Sequence, residues 1–111
     1  MFNVPFCVFS KPEIISIGNT SLSLKQVKVP FNIIGKAHCN DSYEGFLKLF
    51  LNDKKDIIGA VAINNHASEL LAPLTIIINK KLNCNEIKDM IFMHPTMGEI
   101  IKEAAIKAMR L

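Results

Sequence analysis

The sequence predicts an α+β domain: an antiparallel sheet of about four or five strands with helices packed on it. Three observations predict it. Residues 46–51 and 57–63 are two strongly apolar runs separated by the polar stretch Asn52-Asp53-Lys54-Lys55-Asp56, which reads as an antiparallel hairpin. Apolar residues alternate at Phe2, Val4, Phe6 and Val8 and again at Val27 and Val29, the period of a strand. In the second half the period changes. Leu70, Leu71, Leu74, Ile77 and Ile78, then Ile100, Ile101, Ala104, Ala105 and Ala108, recur at helical steps of three and four.

The elements follow in chain order. Pro5 has no amide to donate, so the first alternating run suits a sheet edge or a strand start. Lys11-Pro12-Glu13 is a turn, and residues 14–17 extend to a bend closed by Gly18. Residues 19–24 are expected to hold one or two helical turns at most, or none. Residues 26–29 form a strand leading into Pro30-Phe31-Asn32-Ile33-Ile34, and residues 35–40 are a connection with some strand character. The run 57–63 is almost wholly apolar, which predicts a central strand covered on both faces. Asn64-Asn65-His66 breaks the chain, and Asn65 or Ser68 caps a helix over residues 67–81. Ile76 widens its apolar face, which implies burial on two sides, against the sheet and against a partner subunit. Pro73 within it predicts a kink, because its ring removes an amide donor. Asn83 or Asn85 caps a short helix over residues 86–92. The last helix covers residues 97–109, with Lys107 and Arg110 near its negative end.

Composition bounds the function. The 111 residues suffice for one small domain, yet the hydrophobic share is 50% and mean hydropathy is +0.26. A domain this small has proportionally little interior, so an apolar face buried by a partner is expected. The net charge of +3 is mild, the lysines are scattered and Arg110 is the only arginine, which discounts nucleic-acid binding. No apolar run approaches the ~18 residues of a membrane span, and no signal peptide is expected. Cys7, Cys39 and Cys84 form no C-x-x-C pair and suggest reduced thiols in a reducing compartment. His38-Cys39 lacks zinc-type spacing, so no metal site is expected.

The stretch Met93-His94-Pro95-Thr96-Met97-Gly98-Glu99 carries the candidate chemistry. Thr96 reads as the N-cap of the last helix, and Glu99 stands three residues on, where a capping box places Glu or Gln. Helical side chains lean toward the N-terminus, so Glu99 can reach the cap and also the imidazole of His94. A carboxylate on a histidine selects one tautomer and supports the imidazolium. On spacing alone both readings stand: a His–Glu dyad, or a carboxylate that only caps backbone.

The order of further motifs resembles the C-terminal dimerisation domain of the flavin-dependent pyridine nucleotide–disulphide oxidoreductases. It is most similar to the dihydrolipoamide dehydrogenase branch. The resemblance rests on Phe9-Ser10-Lys11-Pro12-Glu13-Ile14, Ile17-Gly18, Pro30-Phe31-Asn32, Gly35-Lys36-Ala37, Glu44-Gly45-Phe46-Leu47-Lys48-Leu49, Ile58-Gly59, Ala67-Ser68-Glu69-Leu70-Leu71, His94-Pro95-Thr96 and Glu99, spread over nearly the whole chain. It implies that His94 is an acid–base, that Glu99 orients it, and that the pair reaches the partner subunit's active site. His94-Pro95 would then lie near the partner's flavin.

No Gly-rich dinucleotide fingerprint and no redox cysteine pair occurs in these residues. The chain is therefore expected to be one domain, residues 1–111, of a larger enzyme, inactive alone. FAD and NAD would belong to the full-length parent. The resemblance implies oxidation of a dithiol through a disulphide and FAD to NAD, a homodimer, and possible service to a 2-oxo acid dehydrogenase complex carrying lipoyl groups. The expected location is the cytoplasm, or the mitochondrial matrix in a eukaryote. A glutathione reductase-like or mercuric reductase-like parent and a stand-alone, non-catalytic dimerisation module are the alternatives. Three residues depart from the family pattern: Pro73 where a helix former is usual, Lys81 near a usual glycine, and Phe92 where lipoamide enzymes often carry a second histidine.

Overall fold

The predicted hairpin lies at the heart of the sheet. In a computed structural model, which describes residues 4–39, 44–94 and 96–111 (for residues 38 and 39 the backbone only), five strands are seen. They are β1 (Phe6–Val8), β2 (Glu13–Gly18), β3 (Lys25–Pro30), β4 (Phe46–Leu51) and β5 (Ile57–Asn64). Their spatial order is β1-β2-β5-β4-β3, and every neighbouring pair is antiparallel. The nearly all-apolar β5 is central, as its composition predicts. The strand beginning just after Pro5 is an edge. The alternation expected from Phe2 onward is seen from Phe6, and residues 1–3 lie outside the described residues.

Register explains which side chains form the core. Ile15 faces Ala62, Ala62 faces Leu47, and Leu47 faces Val29. The next row runs Ile17, Ala60, Leu49, Val27. All eight are buried. Among the described residues, four α-helices accompany this sheet: α1 (Gly35–Cys39), α2 (Leu71–Asn79), α3 (Cys84–Lys88) and α4 (Glu99–Ala108). Helix α2 packs on β2 and β5, and α4 packs on β3, β4 and α3. The small Ala60 and Ala62 leave room in the middle of the sheet for helical side chains. From α4, Ile100, Ile101, Ala104, Ala105 and Ala108 are all fully buried, so this short helix is clamped along one whole face. Burying each large apolar side chain contributes roughly 1.5–3 kcal/mol.

The opposite face of the sheet is apolar and partly open. Phe6, Val8 and Ile14 are exposed there, with Val61, Ile63 and Phe46 half-buried beside them. Ile76 of α2 is also exposed. Gly18 (φ +77°) and Gly45 (φ +96°) close the strand ends, where a Cβ would overlap the carbonyls of Ile58 and Ile63 respectively.

The structure corrects several expectations. Residues 35–39 are helical, not strand-like. A 3-10 turn, Phe31–Ile33, and the extended Ile34 precede this helix, and Phe31, Ile34 and Ala37 are buried. The helix expected over residues 67–81 is a 3-10 turn, Ala67–Leu70, followed by α2 from Leu71. Pro73 therefore sits in the first turn, where an amide has no intrahelical acceptor. The expected kink from a lost hydrogen bond does not arise. Neither Asn65 nor Ser68 caps: the Ser68 amide donates to Glu13 Oε1 at 2.9 Å. The short helix is α3, ending at Lys88 rather than residue 92, and Asn83 caps it in a full capping box with Glu86. Asn83 Nδ2 also donates to the Lys54 carbonyl (2.6 Å) and to Asp56 (3.0 Å) in the hairpin turn, tying α3 to the sheet.

Lys81 terminates α2 with φ +52°. Its amide donates to the Ile78 carbonyl and the Leu82 amide donates to Ile77, the hydrogen bonds of a Schellman ending, which wants glycine at this position. Lys81→Gly should stabilise the chain by about 1 kcal/mol, because the left-handed conformation costs a residue with a Cβ roughly that much. A higher thermal midpoint in calorimetry is the expected outcome; an unchanged or lower midpoint would contradict this account of the helix end.

Candidate acid–base site

The site sits where the turn after α3 meets the start of α4. Helix α4 begins at Glu99 with Gly98 before it and no side-chain cap, so Thr96 is not the N-cap and the helix starts two residues later than expected. Only half of the expected capping box forms. The Thr96 amide donates to Glu99 Oε2 at 2.9 Å, but the Thr96 hydroxyl turns away and donates to the Met93 carbonyl at 2.8 Å. Residues 96–98 are instead wound by the amides of Glu99, Ile100 and Ile101, which donate to the carbonyls of Thr96, Met97 and Gly98. This tight turn brings the carboxylate back over the loop.

His94 and Glu99 meet. Nδ1 of His94 lies 2.9 Å from Oε1 and 3.2 Å from Oε2 of Glu99. A carboxylate can only accept, so Nδ1 carries the proton and Nε2 is the nitrogen left to exchange one. The His94 side chain is 74% exposed while that of Glu99 is 21% exposed: an anchored carboxylate holds out an accessible imidazole. The ring edge at Cε1 lies beside Gly35 at the start of α1, 3.5 Å from where a Cβ would stand. Phe92 is half-buried against the core, with its ring 3.8 Å from where a Cβ on Gly98 would stand. Pro95 lies outside the described residues, as do the side chains of His38 and Cys39.

Burial pushes the Glu99 carboxyl upward, but the Thr96 amide, the hydrogen bond and charge of His94 and the charge of Lys102 outweigh it and hold the group below its ordinary value. A second pair, His66 and Glu69, approaches only to 3.5 Å with both side chains largely exposed. Its carboxylate has no backbone anchor among the hydrogen bonds of the described residues, so the same two residue types there make no comparable arrangement.

The two thiols among the described side chains are both held above their ordinary value. Cys84 is buried, and desolvation pushes its thiol up to about 11, with Lys55 pulling the other way and Asp56 adding to the rise. Desolvation, aided by Glu13, also raises Cys7. The described residues do not fit a dinucleotide. Every described strand pair is antiparallel, so there is no parallel strand–helix–strand unit to present a phosphate-binding turn.

Comparisons with known proteins show the family. Residues 4–105 match the family model described as pyridine nucleotide-disulphide oxidoreductase, dimerisation domain. The chain belongs to this family. It is 34% identical over 113 residues to the dihydrolipoyl dehydrogenase of Chlamydia muridarum, covering 95% of this chain and 24% of that protein. With the dihydrolipoyl dehydrogenase of Bacillus subtilis it shares 35% identity over 111 residues, 92% of this chain and 23% of the relative. Among solved structures, LpdA from Mycobacterium tuberculosis superposes with a TM-score of 0.85 at 26% identity, over 95% of this chain and 25% of that one. The chain thus spans about a quarter of the length of these relatives.

The contact between His94 and Glu99 was expected from the sequence. Lys102, Gly35 and the Thr96 hydroxyl's turn to Met93 were missed. Lys102 was accessible in principle, since it stands three residues after Glu99 on the same helix, within side-chain reach.

Because Glu99 is held below its ordinary value, its contribution to stability is present above that ordinary value and is lost as pH falls through the lowered one. The gap in thermal midpoint between wild type and Glu99→Gln should therefore be widest near neutral pH and shrink on acidification below about pH 4. A gap that grows with acid would reverse the sign and refute the charge-supported role.

Proposed function

We propose that this domain belongs to a dihydrolipoyl dehydrogenase-like flavoenzyme and supplies its acid–base pair, His94 and Glu99, to the active site of the partner subunit of a homodimer. The carrying observation is the Glu99 carboxylate that accepts from both the His94 ring and the Thr96 backbone. With Nδ1–H held, Nε2 takes the proton from a substrate thiol. The S–H bond breaks, the N–H bond forms, and the resulting thiolate is the nucleophile of thiol–disulphide exchange. Glu99 stabilises the imidazolium until the proton leaves. FAD and NAD, held by the other domains of such an enzyme, would supply the electron acceptors.

The names and identities of the relatives support a dithiol substrate of the dihydrolipoamide class. The exposed apolar face of the sheet and the exposed Ile76 support burial against the remaining domains and a second subunit.

The test uses the full-length enzyme. His94→Gln should retain folding and dimerisation while lowering dithiol oxidation by roughly 10²–10⁴-fold, the usual worth of positioned acid–base catalysis. Glu99→Gln should lower it by less, because orientation and charge are lost but the base remains. Intact turnover in His94→Gln would end the catalytic reading, leaving Glu99 as a backbone cap. Ile76→Glu should weaken self-association measured by sedimentation; an unaltered dimer would exclude that face of α2 from the interface.

A further inference from the structure

We infer that Lys102 is a positioning residue for His94: its ammonium ties the turn that leads into the His94 loop to the helix that carries Glu99. Lys102 Nζ donates to the carbonyl of Met90 at 2.7 Å. Met90 follows the C-cap residue Asp89 of α3, and its own amide donates to the Ile87 carbonyl. The ammonium therefore binds a carbonyl of the turn just past the C-terminus of that helix. Lys102 also lies one turn beyond Glu99 in α4, and its positive charge favours the ionised carboxylate.

The loop between the two helices is thus held to α4 by two separate contacts. The Lys102–Met90 hydrogen bond fastens its beginning, before Ile91 and Met93, which are 98% and 76% exposed. The Glu99–Thr96 and Glu99–His94 hydrogen bonds fasten its end. The segment between the two fastenings carries little apolar anchoring apart from Phe92. Helix α4 is clamped by its buried face and α3 is capped, whereas Ile91, Met93 and His94 between them are exposed. Without the first fastening, the segment is restrained only by Phe92 and by the hydrogen bonds at its far end. A bond to a charged donor is worth more than a neutral one, so a single lysine is enough to matter.

This inference gives a purpose to the reading of His94 as an acid–base, but its test does not depend on that reading, because it measures the loop and not turnover. Residue-resolved amide hydrogen exchange on the full chain would compare wild type, Lys102→Met and Lys102→Arg. Lys102→Met should speed exchange at the Thr96 amide about tenfold, the equilibrium worth of one hydrogen bond to a charged group. Core amides such as Leu49 and Ala62 should be unmoved. Lys102→Arg keeps a donor and a charge, and should restore protection at Thr96. Unchanged Thr96 exchange in Lys102→Met would overturn the inference. So would an acceleration shared equally by Thr96 and the core amides, since that would mean Lys102 acts on global stability and not on the loop.

Discussion

A single carboxylate joins the candidate chemistry to the fold. Glu99 accepts from the Thr96 amide and the His94 ring at 2.9 Å each. It can do so because the helix beginning at Glu99 is immobilised by five fully buried side chains. The imidazole itself has little burial to hold it. Its orientation is borrowed from the core through Glu99, and the accuracy of that orientation depends on how firmly α4 is packed.

The supporting chain of contacts can be followed back to the sheet. The hairpin turn between β4 and β5 presents Asp56 and the Lys54 carbonyl to Asn83, which at the same time caps α3. Side-chain hydrogen bonds from Asn52 and then Asn83 hold the Asp56 carboxyl below its ordinary range, against a smaller desolvation effect. Helix α3 then delivers the loop that Lys102 and Glu99 fasten to α4. The all-antiparallel sheet is thus a platform that positions one exposed histidine, and its open apolar face suits a domain that is one part of a larger assembly.

Much of this was legible in the sequence because it depended on local pattern. The hairpin, the central β5, the edge β1 and the buried face of α4 follow from periodicity and proline chemistry. His94 and Glu99 were legible because five residues separate them and helical side chains lean backward. What was missed depended on geometry that a pattern does not carry. Helix α1 is short and opens on Gly35, so propensity argued against it. The start of α2 was misplaced by four residues because a 3-10 turn and an α-helix bury the same apolar residues. Thr96 was read as a cap, but its hydroxyl found the Met93 carbonyl instead. A side chain with two possible backbone partners gives no sign in the sequence of which it will take.

The central claim is that Glu99 selects the tautomer of His94. Ring nitrogen chemical shifts of His94, measured by NMR at a pH above its titration, report which nitrogen bears the proton. The account predicts the Nδ1–H tautomer in the wild-type chain, leaving Nε2 as the base. A population dominated by Nε2–H would contradict it, since Glu99 would then face a nitrogen with no proton to give.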